Sequence, residues 1–198
     1  MTALRIYLAG GSGAIGTRLL PLLIDAGHTV AAMTRSAENV ERLAASGAEP
    51  IVCDVFDRQG LTRAVHAFAP DLILHQLTDL PDDLKDIPAQ GSPQNARIRV
   101  EGTRNLIDAI NGLDDVRIIA QSVAWPMAPG PEAEAVEFLE DAVLAVGGVV
   151  LRYGMFYGPG TYFERTLPPA PNVQIDSAAT RTVDALTAPA GIVTITDM

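Results

Sequence analysis

Short apolar segments alternate with amphipathic segments of helical periodicity along the chain. Apolar runs that stop at glycine or polar residues are typical of strands buried on both faces, and the helical segments between them supply two covering layers. The alternation predicts an α/β fold with a doubly wound parallel sheet. Predicted strands span residues 4–9, 29–33, 49–53, 71–76, 116–120, 148–152, 173–175 and 192–196, and predicted helices span residues 14–26, 38–46, 58–68, 98–110, 131–146 and 177–186.

Composition excludes several classes of partner. The net charge of −10 leaves few cations to bind a nucleic-acid backbone or an anionic membrane surface, and no apolar run is long enough to span a bilayer. Cys53 is the single cysteine, so an intramolecular disulfide is impossible, and the histidines lack metal-ligand spacing. We therefore expect a cytoplasmic protein with a small-molecule substrate, and no metal, nucleic acid or membrane partner.

Three glycines follow the first predicted strand and open the first helix. Gly10, Gly13 and Gly16 have the spacing that permits a tight turn, close approach of a pyrophosphate and close packing of helix on strand. The helix N-terminus would face the phosphates. This motif predicts a Rossmann-type dinucleotide site, although a turn that binds nothing remains the alternative. The predicted phosphate-binding residues are Gly10, Gly11, Ser12, Gly13, Ala14, Ile15 and Gly16.

The ends of the next strands predict which dinucleotide binds. Arg35 and Ser36 follow the second strand, where an arginine pairs with a 2′-phosphate, so NADP is favoured over NAD. Asp54 follows the third strand, where it can accept a hydrogen bond from the adenine amine. A solvated arginine and an ordinary strand-end turn are the alternatives. Val55, Leu77 and Thr78 complete the predicted cofactor contacts.

The order of motifs resembles the extended short-chain dehydrogenase/reductases, and within them the NAD-dependent epimerase/dehydratase group. Besides the glycine loop, the resemblance rests on Cys53-Asp54-Val55, Gly102-Thr103-Arg104-Asn105-Leu106, Ser122, the run from Leu151 to Gly160 that ends in Tyr-Gly-Pro-Gly, and the stretch from Val173 to Ala179. It implies NAD or NADP bound at the carboxyl edge of the sheet. It also implies a substrate with a carbonyl or hydroxyl group.

Catalysis in that family uses a Ser or Thr after the fifth strand and a Tyr-x-x-x-Lys pair on the following helix. Ser122 matches the first position, but the predicted helix 131–146 contains neither tyrosine nor lysine. Aligning Glu140 with the usual helix glutamate puts Glu132 and Val136 at the pair's positions. Lys85 is the only lysine, and Pro81 stands four residues before it. Arg99 takes the place of a frequent asparagine.

Other residues could supply a proton at the crevice where the strands end. Tyr153 and Tyr157 follow the sixth strand, and each could equally be a packed aromatic residue. His75 is expected to be a hydrogen-bonded core histidine. Asp79 shows no partner in the sequence, and Glu132 and Glu134 are expected to be solvated in a first helical turn. The candidate catalytic residues are thus Ser122, Tyr153 and Tyr157.

We predict one domain over residues 1–198, with a Rossmann core at 1–152 and a reduced substrate-binding region at 153–198. Proline- and glycine-rich stretches at 80–93 and 158–171 are predicted loops at one edge of the sheet. A second subunit could close the short side of the pocket, so a homodimer is possible.

Three functions stay open from the sequence. The first is an NADP-dependent oxidoreductase or epimerase with a relocated proton donor. The second is a non-redox lyase, isomerase or cyclase with or without bound nucleotide. The third is a non-catalytic nucleotide sensor.

Overall fold

The computed structural model describes residues 2–81, 83–86 and 92–197. Seven parallel strands form the main sheet in the order β3-β2-β1-β4-β5-β6-β9, which confirms the predicted doubly wound α/β class. The strands are β1 (Arg5–Ala9), β2 (Thr29–Thr34), β3 (Glu49–Val52), β4 (Leu72–His75), β5 (Arg117–Val123), β6 (Val149–Tyr153), β7 (Met155–Tyr157), β8 (Asn172–Gln174) and β9 (Gly191–Ile195). The helices are α1 (Gly16–Asp25), α2 (Val40–Ala45), α3 (Arg58–Phe68), α4 (Pro93–Arg97), α5 (Thr103–Ala109), α6 (Pro131–Ala145) and α7 (Ile175–Asp184).

The strand order reverses beside β1. Successive strands lie outward from β1 on one side and from β4 on the other, so their connections leave the sheet in opposite directions. In open parallel sheets the crevice at the carboxyl ends of such strands is the usual ligand site. The glycine loop after β1 opens directly onto this crevice.

Two apolar layers cover the sheet because alternate strand residues point to opposite faces. Ile6 and Leu8 pack with α1 and α7 on one face, whereas Tyr7 and Ala9 pack with α3, α5 and α6 on the other. The central strands β1, β2, β4 and β6 are buried almost throughout, as expected for a parallel sheet with both faces covered, whereas the edge strands β3 and β9 are partly exposed.

Several element boundaries differ from the predicted ones. The helix expected at 98–110 is preceded by α4 and a π-helical turn at Ile98–Gly102, because Pro93 occupies a first-turn position and the Ser92 hydroxyl caps it by accepting from the Asn95 amide (3.3 Å). Helix α1 begins at Gly16 rather than at residue 14, because the residues before it form the glycine turn. The predicted loop at 80–93 lies partly outside the described residues.

The strand expected at 173–175 does not join the main sheet. As β8 it pairs in parallel with the unpredicted β7 to form a separate two-stranded sheet. Gly154 permits the approach of β8 to the end of β6, because a Cβ there would lie 2.6 Å from the carbonyl carbon of Asn172. No helix among the described residues is long and apolar enough to cross a membrane.

Candidate functional site

The glycine loop is shaped by contacts that leave no room for side chains. Gly10 has φ +99°, and a Cβ on it would lie 2.7 Å from the carbonyl oxygen of Gln76. A Cβ on Gly16 would lie 2.1 Å from the oxygen of Gly10. The Gly13 amide donates to the Gly10 carbonyl (3.1 Å) and closes the turn. The first and third glycines are therefore needed by the fold itself.

The outer part of the loop has the features of an anion site. Gly13 and Ala14 are exposed, whereas Ile15 and Gly16 are buried. No side chain caps the N-terminus of α1. The positive end of the helix dipole and its unpaired amides consequently face the crevice, which is the arrangement that binds phosphates.

Polar side chains meet at the end of β2. Arg35 donates to both carboxylate oxygens of Asp79 at 2.9 and 3.1 Å, which raises the pKa of the arginine. Ser12 lies 3.3 Å from the Thr34 hydroxyl, and the Ser36 amide donates to that hydroxyl at 3.3 Å. Asp79, which lacked a visible partner in the sequence, is thus paired across the end of β1.

Arg42 is a second cation near the end of β2, and sequence patterns did not predict it there. Arg42 on α2 donates to Asn39 Oδ1 (2.9 Å) and reaches the Ser12 carbonyl (3.5 Å). Asn39 in turn donates to Thr34 (3.1 Å). Arg42 follows Arg35 by seven residues with a turn between them, so spacing alone gave no sign that the Arg42 guanidinium returns to the glycine loop.

The remaining predicted cofactor contacts lie at the ends of β3 and β4. Asp54 is exposed and accepts from the Phe56 amide (2.9 Å). Val55 is buried, and its carbonyl accepts from Asn105 Nδ2 (2.9 Å). Leu77 and Thr78 become progressively more exposed as the chain leaves β4. Together these residues border the same edge of the sheet as the glycine loop.

His75 is a core residue. It is fully buried, with Nδ1 accepting from the Leu77 amide (3.3 Å) and Nε2 facing the Thr103 hydroxyl (3.2 Å). Burial and then the nearby charge of Arg99 lower the pKa of His75 to about 4, so its imidazole is neutral. Across the described ranges, no group of three His, Cys, Asp or Glu side chains is placed to hold a metal ion.

Ser122 belongs to a three-residue cluster between the sheet and α6. Its hydroxyl donates to Glu140 Oε1 (2.5 Å), and Arg152 donates to both oxygens of the same carboxylate (2.9 and 2.5 Å). Burial acts to raise the pKa of Glu140, but the bonds from Arg152 and Ser122 outweigh it and hold the pKa below its ordinary value. Ser122 is 6% exposed, and its hydroxyl is directed at this carboxylate.

Glu132 and Arg99 form a buried ion pair. Their side chains are 9% and 12% exposed, and the second oxygen of Glu132 accepts from the Ser92 amide (2.9 Å). The expectation that Glu132 is solvated is wrong, because α4 and α6 pack together and enclose it; Glu134 is exposed as expected. The position where the resemblance implies a tyrosine thus holds a carboxylate that is already paired.

The two tyrosines after β6 lie in different surroundings. Tyr153 is buried, with its hydroxyl 2.7 Å from Thr182 and 3.4 Å from Gln76 Nε2, and burial raises its pKa. Tyr157 is half-exposed and donates to Asp197 (3.0 Å), which raises its pKa. Tyr157 alone of this pair can reach solvent in this conformation.

A groove of about 450 Å³ lies beside α6 at the ends of β5 and β6. We call it the α6 groove. Most of its lining residues are apolar, and they include Val136, which stands where the resemblance implies the lysine; the others are charged. Its lining residues are Val123, Ala124, Trp125, Pro126, Met127, Ala133, Val136, Glu137, Glu140 and Arg152.

The chain is similar to a reductase of known name. The chain is 36% identical over 185 residues to a Streptomyces 3-diazoavenalumate denitrifying reductase, covering 82% of this chain and 59% of that protein. The chain thus spans less than two thirds of that relative's length.

Solved structures share the fold at low identity. A Thermus thermophilus UDP-glucose 4-epimerase in complex with NAD matches with a TM-score of 0.76 and 21% identity, over 97% of this chain and 77% of that one. A putative NAD-dependent epimerase/dehydratase from Bacillus halodurans gives a TM-score of 0.75 at 16% identity, over 97% of this chain and 92% of that one. The model of the NAD dependent epimerase/dehydratase family matches residues 6–141, and the chain belongs to this family.

Proposed function

We propose that this protein is an NADP(H)-dependent reductase whose substrate is a small electrophile that accepts hydride without a proton from a Tyr-Lys pair. The observation that carries the proposal is the buried Glu132–Arg99 ion pair beside Val136. Both positions implied for the pair are filled on α6, and neither offers a group that donates a proton: Glu132 is engaged and Val136 is apolar. The glycine loop nevertheless keeps the tight turn that a dinucleotide site needs.

The residues of the glycine loop fit a dinucleotide. Side chains are excluded at Gly10 and Gly16, and the exposed Gly13, which has no side chain, would let a pyrophosphate approach the uncapped N-terminus of α1. Arg35, Ser36 and Arg42 surround the end of β2, and two guanidinium groups at that place favour the 2′-phosphate of NADP. Asp54 would accept from the adenine amine, and Val55, Leu77 and Thr78 would border the adenine.

The named reductase suggests the class of electrophile. That protein acts on a diazo compound with loss of nitrogen, and we extend this chemistry to the present chain. When bound, the reduced nicotinamide would supply a hydride. In the net reaction of an arenediazonium, the electron pair of the C–N bond leaves with N₂, and the hydride pair forms the new C–H bond. The charges cancel and no proton enters or leaves, so the absence of a Tyr-Lys pair costs this reaction nothing.

The role of the protein in this reaction is to bind and orient. The glycine loop would fix the dinucleotide, and residues 153–198 would form a reduced substrate-binding region. Ser122 would act through Glu140, holding α6 against β5, because its hydroxyl is directed into that cluster. Tyr153 would pack beneath the site.

The decisive experiment follows the hydrogen. The protein is incubated with NADPH carrying deuterium at the transferable position and with a benzenediazonium salt. We expect one N₂ per NADPH oxidised and deuterium on the ring carbon that carried nitrogen. Gly13→Asp is the matched control, because it puts a carboxylate beside the phosphates at an exposed position and should reduce turnover to the uncatalysed rate. Unlabelled arene, or nitrogen loss equal in both proteins, would refute the proposal.

A carbonyl reductase with Tyr157 as proton donor is the second candidate. It is favoured by the exposure of this hydroxyl and by its bond to Asp197, which keeps the tyrosine protonated. Oxidation of NADPH by ketones or aldehydes that disappears in Tyr157→Phe would establish it in place of the first. Product formed without cofactor oxidation would establish a lyase, isomerase or cyclase, and NADPH binding without any turnover would favour a sensor.

A further inference from the structure

The α6 groove has the size and lining of a site for one aromatic group. Its volume of about 450 Å³ lies within the range of ~300–1,000 Å³ common for small-molecule pockets. Trp125 and Met127 from the segment after β5 and Val136 from α6 contribute to its apolar wall. An aromatic ring placed there would be covered on its faces by apolar and aromatic side chains.

The charges of the groove favour a cation. Both oxygens of Glu140 accept from Arg152, so this guanidinium is already compensated. Glu137 is the remaining charged residue of the lining; it is exposed and forms no hydrogen bond or ion pair within the described part of the chain. The groove therefore carries one uncompensated negative charge and no uncompensated positive one.

Two further features prevent repulsion of a cation. Val136 replaces an ammonium with an apolar wall at the position where the resemblance implies a lysine. The positive end of the α6 dipole is opposed by Glu134 of the first turn, whereas Glu132 is already paired with Arg99.

We propose that the α6 groove binds an aromatic cation, with the ring against Trp125 and the positive charge toward Glu137. Cations over a tryptophan face are attracted by its negative quadrupole, and a nearby carboxylate adds to this attraction. The assignment rests on the proposed function in one respect: the natural occupant would be the arenediazonium substrate, which is a planar cation. Binding itself requires no turnover and can be tested without it.

The sequence supplies a reporter for the test. Trp125 is the only tryptophan, so intrinsic tryptophan fluorescence reports on this groove alone. The probes are phenyltrimethylammonium and tert-butylbenzene, which have the same shape and differ in charge, together with anionic benzenesulfonate. We expect saturable quenching by phenyltrimethylammonium, with an affinity ~5-fold or more above that of tert-butylbenzene and no saturable response to benzenesulfonate. Equal affinity for the first two probes, or tighter binding of the anion, would overturn the proposal.

Two acids of one helix provide matched variants. Glu137→Gln should weaken phenyltrimethylammonium binding ~3-fold or more and leave tert-butylbenzene unchanged, whereas Glu134→Gln, on an exposed residue that does not line the groove, should change neither. Equal losses in both variants would mean a general surface potential rather than a site. Val136→Lys should also weaken the binding of phenyltrimethylammonium, because it introduces a positive charge into the wall of the groove.

A titration with phenyltrimethylammonium at saturating NADPH tests whether the α6 groove is the site of the substrate or of the cofactor. Retained binding of phenyltrimethylammonium is expected, because cofactor and substrate must be present together. Displacement by NADPH would assign the groove to the nicotinamide ring and overturn the proposal. A protein that binds the probe but never oxidises NADPH with a diazonium salt would keep the groove and refute the proposed function, and the opposite result would refute the groove alone.

Discussion

At the scale of single residues, the three loop glycines differ in what they would tolerate. A Cβ at Gly16 collides with the Gly10 carbonyl at 2.1 Å, and one at Gly10 collides with Gln76 in a backbone conformation that side chains rarely adopt. A Cβ at Gly13 meets only the Gly10 oxygen at 3.4 Å, an ordinary contact, and the residue is exposed. Gly10 and Gly16 are therefore required by the fold, whereas we expect Gly13 to be required by the ligand.

Alanine substitutions should separate these requirements. We expect Gly13→Ala to leave the free energy of unfolding within ~0.5 kcal/mol of the parent and to weaken NADPH binding ~10-fold or more, because the methyl group would meet the pyrophosphate. Gly16→Ala should lower the free energy of unfolding by ~2 kcal/mol or more through the backbone collision. Denaturant unfolding and nicotinamide fluorescence measure the two effects, and equal destabilisation by both variants would contradict the division.

Arg35 and Asp79 offer a second prediction, on cofactor choice. We expect Arg35→Ala to weaken NADPH binding selectively over NADH, because only NADPH carries the 2′-phosphate. Asp79→Asn should strengthen NADPH binding by up to ~5-fold, because the carboxylate competes for the guanidinium, and exposed ion pairs of this kind contribute ~0–1 kcal/mol. Titrations with both cofactors test this; parallel changes for NADPH and NADH would remove Arg35 from the 2′-phosphate site.

At the scale of elements, a charge pair joins α6 to the π-helical turn after α4, where the family resemblance implies uncharged partners. The resemblance puts Arg99 at the position of a frequent asparagine and Glu132 at that of the tyrosine, and in the folded chain these two charges form an ion pair. Ser92, which caps α4, also donates its amide to Glu132. The Arg99–Glu132 ion pair thus holds α6 against the π-helical turn after α4.

Breaking this pair should be costly. We expect Arg99→Met to lower the free energy of unfolding by ~3–5 kcal/mol, because it leaves the Glu132 carboxylate buried without a counter-ion. Adding Glu132→Gln should recover most of the loss, since glutamine carries no charge and still accepts from Ser92.

The exposed pair Arg58–Asp108 is the matched control for this measurement. Its side chains are 66% and 38% exposed, so Arg58→Met should change the free energy of unfolding by less than ~1 kcal/mol. If the double variant Arg99→Met with Glu132→Gln were as unstable as Arg99→Met alone, the loss of stability could not be assigned to an unpaired Glu132 carboxylate.

At the scale of the whole molecule, the central strand β4 couples stability to pH through His75. Its pKa is about 4 in the folded chain against an ordinary value of 6.5. Above pH 6.5 the His75 imidazole is neutral in both the folded and the unfolded chain, so it does not lower the free energy of unfolding. As the pH falls from 6.5 to 4, His75 binds a proton in the unfolded chain but not in the folded chain. The free energy of unfolding therefore decreases across this range.

We expect the free energy of unfolding to fall by up to ~1.4 kcal/mol per pH unit in that range from this residue. His75→Gln should flatten the slope, whereas the same substitution at the exposed His66 should leave it unchanged. Unfolding curves collected from pH 7 to pH 4 test the prediction. An unaltered slope in His75→Gln would contradict the prediction, and Glu140 cannot supply the slope in its place, because its lowered pKa puts its effect at more acidic pH.

The layout of this molecule could be predicted because it depends on local patterns. Alternating apolar strands and amphipathic helices specify a parallel sheet covered on both faces, and the glycine spacing after β1 specifies the loop, since only glycine fits that backbone. The missing Tyr-Lys pair is also visible in the sequence, because α6 contains neither residue.

The pairing of charges was decided by tertiary structure alone. Arg35 meets Asp79, Arg99 meets Glu132 and Arg152 meets Glu140 across separate elements, and the helix packing that buries Glu132 is invisible to local periodicity. The sequence determined which groups are present and the scaffold that carries them. The folded chain decided which are neutralised and which stay free for a ligand, because the reach and burial of a side chain depend on residues distant along the sequence.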